Sequence, residues 1–265
     1  MSVSDIAQAP VARQRHAPIA LALGVAAAAA TLLVLPYALD VVQRAPDALH
    51  LSAPTLLLGA LQSFGIFAFA AWFGLRVGYR YGLDAPLLRR WLGGGAASMT
   101  AAPAWGRAVA LGLGSGALVL ALLALWPIGI APVAVSPPWW KGLLASFYGG
   151  TAEEILLRLC VMSALVWCGA RLVRGAPTRA VYVGAIVSAA VLFGVGHLPL
   201  AAQLMGHLDA IAVLQVIVLN ALCGLVFGWL FWRHGLEHAM VAHFSADLVL
   251  HVAAPLAANL VGGTS

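Results

Sequence analysis

Seven apolar runs dominate this chain, near residues 18–39, 54–76, 106–130, 142–168, 180–200, 210–232 and 236–260. At a rise of ~1.5 Å per residue, each can cross a hydrocarbon core of ~30 Å. In lipid every backbone N–H and C=O must be satisfied within the chain, so such runs fold as helices. The expected fold class is all-α: a polytopic transmembrane helical bundle of about seven spans, with six and eight as the bounds of the count. Of the 265 residues, only 9% are charged and 63% are hydrophobic, with mean hydropathy +0.97. A soluble domain carries about 25% charged residues, so this surface needs lipid as its solvent.

The expected organisation is a tail over 1–17, N-terminal membrane helices over 18–135, polar-motif helices over 136–260 and a short tail over 261–265. The run from Ile19 to Leu39 is too long for the apolar core of a signal peptide. It also lacks a small-x-small cleavage site, so it reads as a retained span. Segment 77–104 sets Arg80, Arg89 and Arg90 among Leu83, Leu87, Leu88, Trp91 and Leu92, before a Gly/Ala-rich stretch. That pattern predicts a short amphipathic helix on the membrane surface and a flexible link. Pro137-Pro138-Trp139-Trp140 reads as an interfacial turn with an aromatic anchor.

Basic residues set the expected orientation. Arg13, Arg15, Arg76, Arg80, Arg89, Arg90, Arg107, Arg171, Arg174, Arg179 and Arg233 fall on one side, and only Arg44 and Lys141 on the other. The positive-inside rule puts the N-terminus in the cytoplasm and the C-terminus outside. The preference for Arg over Lys and the abundance of Ala point to a GC-rich bacterial genome, hence a bacterial inner membrane. The net charge of +5 does not indicate a nucleic-acid partner, because the arginines sit between apolar runs. Cys160, Cys168 and Cys223 lie in apolar stretches without pair spacing; they read as buried small hydrophobes, not as a disulfide framework.

Ionisable groups inside a span cost several kcal/mol and mark function by default. The fourth run contains Glu153-Glu154-Ile-Leu-Leu-Arg158. Glu154 and Arg158, at i and i+4, can pair along one face. Glu153, rotated by about 100°, points elsewhere and is free for chemistry. The fifth run ends with Phe193-Gly-Val-Gly-His197-Leu-Pro199, and the seventh carries His243-Phe-Ser-Ala-Asp247, a stripe that His251 continues. Counted from the cytoplasmic ends, Glu153 and His197 lie about 24 Å deep, Asp247 about 18 Å and His243 about 12 Å. Asn220 reads as glue between helices, Gly224 and Gly228 as a packing face, and Glu237 and His238 as interfacial.

A buried glutamate with histidines and a further acid can activate water and stabilise an oxyanion, which suits amide hydrolysis without a covalent intermediate. There is no Gly-x-Ser-x-Gly elbow and no His-Glu-x-x-His motif. The scattered Glu, His and Asp side chains leave a zinc site open as an alternative to a cofactor-free one.

Glu153-Glu154-x-x-x-Arg158, Phe193-x-x-x-His197 and His243-x-x-x-Asp247, in this order on separate spans, resemble the CPBP family. This group of CAAX proteases and bacteriocin-processing proteins is also called the Abi or type II CAAX endopeptidase family. The resemblance covers roughly residues 140–250. It implies an intramembrane endopeptidase in which Glu153 and His197 activate water and Glu154 and Arg158 hold the architecture. His243 and the residue four positions on would form the oxyanion hole. That last position is often Asn in the family, and Asp247 departs from it. An ionised Asp cannot donate, so Asp247 must be protonated or must orient His243. The resemblance also implies a glutamate-type, metal-independent site.

The expected function is therefore hydrolysis of a peptide bond in a membrane-anchored protein or peptide, near the cytoplasmic half of the bilayer. A non-proteolytic membrane partner of the immunity or assembly type is the alternative, and a proton-coupled transporter a weaker third. The lipid bilayer is the surrounding partner, and oligomeric state is not legible.

Overall fold

The computed structural model describes residues 15–42, 52–92, 104–126 and 137–262. The described residues form helices and no strand: α1 (Ala17–Val42), α2 (Ala53–Gly78), α3 (Pro86–Trp91), α4 (Trp105–Leu125), α5 (Trp139–Tyr148), α6 (Ser163–Leu172), α7 (Arg179–Gly196), α8 (Leu198–Met205), α9 (Ala210–His234), α10 (Leu236–Asp247) and α11 (Ala254–Gly262). Two π-helical segments, Gly149–Glu153 and Ile155–Met162, join α5 to α6 in one long span. A third, Leu248–Ala253, joins α10 to α11. Seven helical stretches among the described residues are long and apolar enough to cross a membrane. With its polytopic helical bundle, the chain is an integral membrane protein.

Helix ends follow local chemistry. Ser52 caps α2, its hydroxyl accepting the Thr55 N–H at 3.3 Å. Asp209 caps α9, accepting the Ala212 N–H at 2.7 Å. Gly235, at φ +93°, turns α9 into α10 where Pro86 leaves no room for a Cβ. Large apolar side chains such as Leu58 and Phe69 face outward, while Phe227, Phe231, Leu159 and Met162 fill the interior. Lipid and core are equally apolar, so close packing and not hydrophobicity brings the helices together. Gly74 presses α2 on the Leu159 carbonyl, Gly112 presses α4 on Ala242, and Gly194 presses α7 on Ile217. Gly224 and Gly228 seat α9 against Ala190 and Ile186 of α7, the packing role expected of them.

The segment after α2 differs from its expectation. Instead of a surface-lying amphipathic helix it forms a docked elbow with one short helix, α3. Arg89 is fully buried, its Nε and Nη2 each donating to Asp84 at 2.7 Å, and its guanidinium covers the Tyr79 ring at 4.6 Å. Glu237 accepts the Leu87 and Leu88 N–H groups at 2.9 and 3.0 Å, and Leu236 N–H donates to the Asp84 carbonyl at 3.0 Å. The physical reason is Asp84, which neutralises an arginine that otherwise belongs in water. Only Trp91 and Leu92 keep the exposed apolar face that the pattern predicts. His238 is likewise buried and not interfacial: it stacks on Trp105 at 4.0 Å and accepts the Ala104 N–H. Of the cysteines only Cys223 is buried; Cys168 faces out of the bundle. The predicted link over 93–103, the tail to residue 14, and Arg44 lie outside the described residues.

Candidate active site

The fourth span places its two glutamates differently. Glycines at 149 and 150 remove side-chain bulk just before the pair, and the backbone there widens to π-helical turns on either side of Glu154. Such widened turns recur at functional sites. A Cβ on Gly149 would collide with Asp247 Oδ2 and approach His243 Nε2 at 2.9 Å, so the glycine leaves that space to the two side chains. Glu154 is fully buried and Glu153 is partly accessible.

Glu154 sits at the centre of a polar node. Its Oε2 faces Arg158 Nε at 3.4 Å, and its Oε1 accepts the His243 Nδ1–H at 2.8 Å. Arg158, also fully buried, donates from Nη2 to the Gly224 carbonyl at 3.3 Å. The guanidinium lies over the rings of Phe193 and Phe227, at 4.9 and 5.4 Å. Phe227 also stacks on His243, with centroids 4.5 Å apart and planes 19° apart. The bond to Glu154 fixes the His243 tautomer and turns Nε2 toward the working side. There Nε2 lies 3.7 Å from both Glu153 Oε2 and Asp247 Oδ1.

His197 forms the break between α7 and α8. Its Nδ1–H donates to the Phe193 carbonyl at 2.8 Å, which leaves Nε2 as the basic nitrogen. A cavity of about 350 Å³ gathers Glu153, His197, His243 and Asp247 into one lining. Glu154 and Arg158 stand behind that wall. The six residues singled out in the sequence thus separate into four that face the cavity and two that brace it.

Sequence reasoning missed three contributors, Tyr37, Phe227 and Tyr148. Tyr37 of α1 lines the cavity, its Oη 3.3 Å from His251 Nδ1. A tyrosine near the end of a span otherwise reads as an interface anchor. His251 stands 3.9 Å from Asp247 Oδ1; the stripe from His243 was its signal. Phe227 and Tyr148 carry no sequence signal of their own. Asn220 also lines the cavity and donates to the Val216 carbonyl of its own helix at 2.8 Å, so it is not glue between helices. Among the described residues no three His, Cys, Asp or Glu side chains converge in a metal-holding arrangement.

The cavity lies away from the arginine-rich ends of the helices. Tyr37 is about 30 Å along α1 from Ala17, and His197 about 27 Å along from Arg179, at ~1.5 Å per residue. His197 falls late in a span leaving the arginine side and Glu153 in the first half of one returning to it, whereas His243 and Asp247 lie in the first half of the last span.

Residues 135–249 match the family model Rce1-like, described as type II CAAX prenyl endopeptidase Rce1-like. No curated protein and no solved structure matches the chain.

Proposed function

We propose, from the match of residues 135–249 to the type II CAAX prenyl endopeptidase Rce1-like family, that the chain is an intramembrane endopeptidase of the CPBP group that uses glutamate-activated water. The observation that carries this reading is the single cavity shared by Glu153, His197, His243 and Asp247, with Glu154 and Arg158 bracing it from behind. Water held between the Glu153 carboxylate and His197 Nε2 loses a proton to Glu153 as it attacks the scissile carbonyl. The oxyanion forms near His243 Nε2 and Asp247. With its Nδ1–H held by Glu154, His243 donates to the oxyanion from Nε2 as the imidazolium. Collapse of the tetrahedral intermediate breaks the C–N bond, and the proton taken by Glu153 passes to the leaving amine.

Asp247 contributes as a neutral acid that donates, or by orienting His243. The scheme needs no metal. The substrate is a membrane-anchored protein or peptide, and a prenyl group is not required by anything in the cavity wall. The distribution of arginines supports an N-terminus in the cytoplasm of a bacterial inner membrane.

Comparing membrane proteomes from cells carrying wild-type or Glu153→Ala protein tests the scheme, with and without a chelator. New chain termini should depend on Glu153 and on His197 and survive chelation. Folded Glu153→Ala and His197→Ala proteins that process normally would sink the enzyme reading in favour of a non-proteolytic membrane partner.

A further inference from the structure

We propose that the cavity opens on the non-cytoplasmic side of the membrane and takes apolar polypeptide segments already translocated to that side. The inference of a substrate rests on the proteolytic reading above; the inference of a side does not.

Two independent patterns meet here. The first is charge. Arg76 and Arg80 close the second span, Arg89 and Arg90 lie in α3, and Arg107 opens α4. Arg171, Arg174 and Arg179 border the turn before α7, and Arg233 ends α9. All fall at one end of the bundle, the end that stays in the cytoplasm when positive charge orients a membrane protein. The second is the position of the cavity. Its wall comes from the last turns of α1, the first half of the fourth span, the break after α7, and the middle stretches of α9 and of the last span. The first three of these places lie toward the other end, and the last two lie near mid-span. Chain direction alternates from α1 to the fourth span and from there to α7, so one misplaced boundary could not move all three together.

The rim limits what can enter. Val34, Ala38, Val41, Leu200 and Leu250 make the wall mostly apolar. Lys141, the one lysine or arginine of that end among the described residues, is tied to Asp40 at 2.5 Å. Among the described residues a free C-terminal carboxylate therefore meets no lysine or arginine there that is not already paired, whereas an uncharged internal segment fits the wall. The reaction that supplies the substrate must then be a translocation step: a polypeptide is inserted or exported first and cut afterwards.

The test uses the full chain in bacterial cells, with Cys160, Cys168 and Cys223 replaced by alanine. Ala38→Cys and, as a second rim position, Leu200→Cys are treated with a membrane-impermeant maleimide, and Gly175→Cys marks the arginine-rich end. The rim cysteines should label in intact spheroplasts, and Gly175→Cys only after permeabilisation. The reverse pattern overturns the proposal. In the same cells, Glu153-dependent new termini should map to the outer ends of membrane spans or to exported segments; termini at cytoplasmic ends overturn it as well. If labelling follows expectation and no Glu153-dependent terminus appears, the side stands and the proteolytic reading fails.

Discussion

Glu153 and Glu154 share a peptide bond and almost nothing else. Glu154 is enclosed by Arg158 and His243, and removing either charge partner leaves an unpaired ion in an apolar interior. Breaking a buried pair costs about 3–5 kcal/mol. Arg158→Ala should therefore lower the stability of the detergent-purified protein by that amount, read from denaturant or thermal unfolding. Glu153→Ala removes a partly accessible carboxylate and should leave unfolding within about 1 kcal/mol of wild type. The same variant should lose about 10²–10⁴-fold in cleavage rate, the weight of a general base. Asp247 yields a second prediction. Asn donates without needing a proton, so Asp247→Asn should retain cleavage. His251 and Tyr37 then act only as positioning residues for the acid. His251→Ala should cost on the order of tenfold in the Asp247 protein and little in the Asp247→Asn protein. An equal loss in both backgrounds would count against the link.

At the scale of the element, the decisive feature is the widened helix around the glutamates and around Leu248–Ala253. An i, i+4 reading along regular helices was enough to pair Glu154 with Arg158, because the pairing survives the wider turns. It could not anticipate that Gly149 makes room for Asp247 and His243, since that depends on two spans far apart in sequence. Gly149→Ala should therefore impair cleavage by about 10²-fold, a loss typical of ~1 Å misplacement, with far less effect on unfolding. Kinetics and melting measured on one preparation check both halves of the statement. The elbow at Asp84 and Arg89 teaches the converse. Hydrophobic periodicity located its short helix, but a local pattern counts each arginine as solvated. The neutralising aspartate, five residues upstream, becomes visible only when the chain folds back.

At the scale of the molecule, apolar run length made the seven spans legible to within a few residues, because lipid leaves a long uncharged segment little alternative. The site was legible only where charge in lipid made it costly. Tyr37 and Phe227 escaped because they are ordinary in a membrane helix. Their role comes from where α1 and α9 pack, and α1 lies wholly outside the matched region 135–249. The matched helices are thus incomplete as a site: α1 supplies Val34, Tyr37, Ala38 and Val41 to the wall. Membrane helices insert first and associate afterwards, so the two parts should be separable and able to recombine. Expressed alone, a fragment 131–265 should insert, guided by Arg171, Arg174 and Arg179, and yet cleave about 10²-fold more slowly than the intact chain, since its water and substrate lack one wall. Co-expression with fragment 1–130 should restore cleavage, and restore it poorly when that fragment carries Gly74→Val, whose side chain would meet the Leu159 backbone and hold α2 off the fourth span. Full activity from 131–265 alone would show that the α1 wall is dispensable and that the site is confined to the later helices.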